Sequence, residues 1–87
     1  MSVGDLASRL RGEGLAPSGW SNGPGDRYSP HAHDYDKVLY CVSGGITFHT
    51  DAGDFDLKPG DRLEVDAGTT HAATVGPEGV ECMEAAR

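Results

Sequence analysis

The chain has 87 residues, with 14 acidic against 7 basic side chains and a formal charge of −7. That length holds one domain, and so short a chain buries only ~60% of its unfolded surface, which predicts a thin core supplemented by a homodimer contact. A surface this negative repels phosphate backbones and excludes nucleic acid as a main partner.

The longest apolar run, Val38 to Val42, falls far short of the ~18 residues a membrane span needs. The opening MSVGDLASRL lacks an apolar signal segment, which predicts a cytoplasmic protein with no membrane partner. Residues 2 to 12 read as the one helix. Val3, Leu6, Ala7 and Leu10 recur at i, i+3, i+4 and i+7 and make a single apolar stripe. Ser2 with Asp5 resembles a capping box, Arg9 and Arg11 suit the negative end of the helix dipole, and Gly12 and Gly14 stop it. Residues 1–14 are thus assigned to a helical segment and residues 15–87 to a single β domain.

Thirteen glycines and five prolines punctuate the chain, as short strands joined by tight turns require. Trp20 precedes the turn cluster Asn22-Gly23-Pro24-Gly25-Asp26, and the run from Tyr28 to Ser43 ends in VLYCVSGG. Ile46 to Thr50 alternates with Ile46 and Phe48 on one face, which leaves His49 toward solvent. Phe55 to Leu57 follows the turn at Asp51 to Asp54, and Leu63 and Val65 follow Pro59-Gly60-Asp61. A further turn leads into His71 to Val75, and beyond Gly76 to Gly79 the last strand places Val80 and Cys82 on one face. About seven short strands at this spacing predict an all-β barrel or sandwich. Cys41 and Cys82 are too few and too far apart in sequence for a disulfide framework, and are expected as small buried apolar side chains.

Three histidines carry the chemistry. His31 and His33 in HAHDYDK would place two rings on one face of a strand, and His71 follows a Gly-containing turn. Neutral imidazole is the commonest protein metal ligand, so the three could form one nitrogen face on a metal. Tyr35, Lys37 and Cys41 share the histidines' parity and are the candidate substrate contacts.

The ordered set resembles the cupin superfamily. The family's first motif is HxH, three or four residues, Glu, six residues, Gly; His31, His33 and Gly44 match it. Its second motif is Gly, five residues, PxGxxH, three residues, Asn. Gly60, Gly68 and His71 match that one, while Asp66 stands where Pro is usual and Val75 where Asn is usual. The resemblance runs from about Trp20 to Glu84 and implies a small cupin-like barrel, a double-stranded β-helix or jelly roll, with the helix outside it.

It also implies a divalent transition metal (Fe, Zn, Ni or Mn) on His31, His33 and His71, with dioxygenation or isomerisation of a small organic acid. The family's metal-binding Glu falls on Lys37 here, or on Val38 with the longer spacing. Unit charges ~4 Å apart interact by about 4 kcal/mol at an effective dielectric of 20, so an ammonium beside a divalent ion meets roughly twice that in repulsion. Lys37 must point away, lose its proton or pair with an anion; a strand break in DYD would let Asp34 or Asp36 serve. The alternative is a metal-free module in which Lys37 anchors a carboxylate or phosphate beside the histidines.

Overall fold

The computed structural model describes residues 2–87. One helix, α1 (Val3–Gly12), precedes six strands: β1 (Ser18–Asn22), β2 (Arg27–His31), β3 (Lys37–Thr50), β4 (Gly53–Leu57), β5 (Arg62–Val65) and β6 (His71–Ala86). Every pairing is antiparallel. The long strands β3 and β6 run side by side from Lys37 opposite Ala86 to Thr50 opposite His71. On the outer edge of β6, β2 pairs with its first half and β1 with its second. On the outer edge of β3, β5 pairs with its first half and β4 with its second.

Six strands stand where seven were expected: the run from Tyr28 to Ser43 divides into β2 and the start of β3, while two glycine-rich stretches bend strands without ending them. VLYCVSGG and ITFHT are one strand, and the Gly76-Pro77-Glu78-Gly79 stretch lies inside β6. The β3–β6 register shifts between Cys41 and Ser43 and again between Gly44 and Ile46. Without those shifts Leu39 and Cys41 would face away from Ile46 and Phe48. With them, all four join one interior cluster with Leu57, Ala73, Val75, Val80 and Cys82. Gly44 makes the bend possible: its φ is +73°, and a Cβ there would lie 2.0 Å from the Gly79 carbonyl oxygen.

The helix forms as its caps direct. Ser2 accepts from the Asp5 amide and Asp5 accepts from the Ser2 amide, the reciprocal capping box. Leu6, Ala7 and Leu10 pack on Val38, Tyr40, Val42, Met83 and Ala85 on the outside of the sheet. Val3, expected in the same stripe, stays 37% exposed. The run VLYCV is continuous in apolar character because its odd residues face the interior and its even residues face α1. Just past the helix, Glu13 receives a bidentate pair of bonds from Arg62, at 2.6 and 2.7 Å, and Arg62 also reaches the Tyr40 hydroxyl. Among the described residues no helix is long and apolar enough to cross a membrane.

Candidate metal centre

The interior opens on one side into a cavity of about 230 Å³ lined by Trp20, Tyr28, His31, His33, Lys37, Phe48, His71, Ala73 and Glu84. His31 ends β2 and lies directly opposite His71, the first residue of β6. His33 does not share a strand with His31. The chain leaves β2 at His31, and His33 enters the cavity from the connection to β3, where its carbonyl accepts the Gly68 amide at 2.8 Å. The same connection is pinned by Asp36, whose carboxylate accepts the Ala67 amide at 2.8 Å. Parity therefore fails over residues 31–37, as DYD is a poor strand sequence. Spacing brought the histidines together for a different reason than the one expected.

The three rings converge, with centroids 4.4 Å apart for His31 and His71, 5.0 Å for His31 and His33, and 5.3 Å for His33 and His71. One ring nitrogen from each lies within 4.8 Å of the others. The Nδ1 of His31 sits 2.7 Å from the Ser29 carbonyl, and that of His71 sits 3.0 Å from the Thr69 carbonyl. A carbonyl only accepts, so each Nδ1 carries the hydrogen, and in the neutral ring this tautomer leaves the lone pair on Nε2. His33 Nε2 is buried and has no hydrogen-bond partner among the described residues. Burial, reinforced by the Lys37 charge and the other two histidines, lowers the His33 pKa and favours the neutral ring. Three converging imidazoles, one with an orphaned buried nitrogen, fit a divalent transition metal; such donors suit zinc, copper, iron and nickel.

The charge conflict at Lys37 is resolved by a residue the motif did not mark. Lys37 Nζ lies 3.0 Å from Glu84 Oε1, with side chains only 11% and 22% exposed. The same oxygen accepts the Trp20 indole N–H. Neither Asp34 nor Asp36 takes that part. Glu84 was legible only by carrying the interior face of the last strand one step further, since Val80, Cys82 and Glu84 alternate at i, i+2 and i+4. The other two candidate contacts lie elsewhere. Cys41 is fully buried in the interior cluster and forms no part of the cavity wall, because packing claims it. Tyr35 is 37% exposed and leans on His33, ring centroids 5.0 Å apart, outside the cavity lining. His49 faces outward as expected, bridging Asp54 and Thr74.

An antiparallel barrel with three histidines at the mouth of its interior defines a candidate metal-binding β-barrel protein. Residues 20–84 match the family model for the cupin domain, and the chain belongs to that family. Over 54 residues it is 44% identical to quercetin 2,3-dioxygenase of Bacillus subtilis (strain 168), covering 60% of this chain and 16% of that protein. It superposes with a TM-score of 0.78 and 30% identity on a chain in crystal structures of the DMSP lyases RdDddP and RnDddQII, covering 84% of this chain and 38% of that one. A cupin superfamily protein from Desulfitobacterium hafniense DCB-2 gives a TM-score of 0.74 at 24% identity, over 83% of this chain and 65% of that chain.

Proposed function

We propose that this cupin binds one divalent transition metal (iron, zinc, nickel or manganese) through His31, His33 and His71, and acts as a dioxygenase of a small organic acid. The observation that carries the reading is the convergence of three imidazole nitrogens within 4.8 Å, one of them buried and unpartnered. The similarity to quercetin 2,3-dioxygenase supports oxygenation over isomerisation. When bound, the metal supplies Lewis-acid polarisation and open coordination positions.

The chain's own residues do the rest. The Ser29 and Thr69 carbonyls fix the tautomers of two histidines. Trp20, Tyr28, Phe48 and Ala73 line the cavity with apolar surface that limits water and favours a small, flat molecule. Glu84 presents a carboxylate to that cavity, held by Lys37 and Trp20 through a single oxygen. That same ion pair weakens the metal-free alternative, since the Lys37 charge needed to anchor an anionic ligand is already neutralised.

The test is elemental analysis of protein purified without a chelator or a nickel column. Near-stoichiometric metal is expected, with added metal raising the melting temperature by roughly 10 °C or more at a hundredfold excess over Kd. Metal-free protein whose melting temperature ignores all four ions would sink the proposal.

Lys37→Glu probes the fourth position. The change removes a positive charge from the cavity wall and puts the family's carboxylate in its place. Metal affinity, followed through the fluorescence of Trp20, the chain's one tryptophan, is expected to rise at least about tenfold. The metal-free variant is expected to melt lower, because Glu84 loses its partner and faces a like charge. Unchanged affinity would show that position 37 does not act on the metal.

A further inference from the structure

The two cysteines lie far apart in the chain and together in the fold. Cys41 on β3 is directly opposite Cys82 on β6. Both are fully buried and both belong to the interior cluster, so their side chains leave the sheet on the same face. The backbone of Cys41 is engaged on the other side: its amide donates to Asp61 at 3.0 Å and its carbonyl accepts the Gly60 amide at 2.8 Å. In an antiparallel sheet a residue's amide and carbonyl point to the same neighbour, so the Cys41–Cys82 pair is a non-hydrogen-bonded one. Such pairs have Cα atoms about 4.5 Å apart and the closer side chains. That separation lies inside the ~4.4–6.8 Å range a disulfide spans.

We infer that Cys41 and Cys82 form a cross-strand disulfide when the protein meets a thiol oxidant. Both are free thiols here, with the Cys41 Sγ directed at the Ser43 and Gly44 carbonyls at 3.6 and 3.8 Å, weak contacts that bond formation replaces. With a small disulfide such as oxidised glutathione, one cysteine sulfur attacks it and releases a first glutathione thiol. The second cysteine then displaces the other, and two protons and two electrons have passed to the oxidant. Closure is slow. Burial, and then the neighbouring Cys41, push the Cys82 thiol up to about 12, and burial raises Cys41 as well, so the reaction waits on local opening of the strands. The bond would fasten β3 to β6 beside the bulge, on the two strands that carry Lys37, His71 and Glu84. It is independent of any metal.

The experiment incubates the folded protein with excess oxidised glutathione, in buffer and in sub-denaturing urea that raises the open population. Chains are then unfolded in alkylating reagent and weighed intact. The expected product is lighter by two hydrogens, takes up no alkyl group, forms faster in urea, and melts about 10 °C or more above the reduced protein. Cys82→Ser must lose both the mass change and the shift. Two alkylated cysteines in both samples, stable mixed disulfides with glutathione, or linked chains would each overturn the inference.

Discussion

Gly44→Ala is expected to remove about 3 kcal/mol or more of stability, a large share of what a chain of this size has. Two effects add. The residue sits at φ +73°, where an L side chain is strained by about 1–2 kcal/mol. Its Cβ would lie 2.0 Å from the Gly79 carbonyl oxygen and 2.8 Å from the carbonyl carbon, and neither is a flexible side-chain tip that could turn aside. Gly79 has no room to retreat, as it holds φ +77° and its own Cβ position is 2.9 Å from the Asn22 carbonyl. Three strands meet there, and the close approach is what keeps β3 and β6 paired through the bend. Gly45→Ala is the control next door: its Cβ would find the Leu57 carbonyl at 3.5 Å, an ordinary contact. Urea midpoints by circular dichroism should separate the two widely. A Gly44→Ala protein as stable as the Gly45→Ala one would mean that β3 and β6 do not approach each other as described.

The same bend explains what the sequence disclosed and what it concealed. The helix was readable because its signals are local: Ser2 and Asp5 cap each other, and the stripe Leu6, Ala7, Leu10 repeats within three turns. Val3 shares the periodicity but stays 37% exposed, and periodicity alone does not say how much of a stripe its neighbours cover. The barrel and the three histidines were readable through ordered motifs, though the strand parity used to orient His33 does not hold in the connection where it lies. Glu84 was readable only from the alternation of Val80 and Cys82, and not by extending the face of His71 to Val75. Whether it faces the cavity depends on the register shift at Gly76 to Gly79, which changes the face of every later residue in β6. The Cys41–Cys82 pairing was hidden by the same register, since nothing within either cysteine's own segment names its partner across the sheet.

His71→Ala is expected to lower metal affinity by at least about a hundredfold, since even outer partners of metal ligands cost 10–100-fold when removed. His71 is the most enclosed of the three histidines, 2% exposed, and it ties both neighbouring strands to the site. Its ring lies 4.4 Å from that of His31 and 6.3 Å from that of Phe48. Truncation therefore opens a void as well, which is expected to cost the metal-free protein roughly 1–3 kcal/mol. The two losses separate by measuring each in turn: urea unfolding of the metal-free variant gives the packing cost, and calorimetric titration with metal gives the binding cost. His49→Ala, on the outer face with Asp54 and Thr74 for partners, removes an imidazole without touching the cavity. It should leave metal binding at the wild-type level. If His71→Ala and His49→Ala bind metal equally well, any bound ion is held elsewhere and the three-histidine centre is wrong. If only His71→Ala fails, and fails beyond what its lost stability explains, the ring is a ligand as well as a packing element. That follows from its position: His71 is 2% exposed and its Nδ1 is held at the Thr69 carbonyl, so one truncation removes packing and a metal-facing ring together.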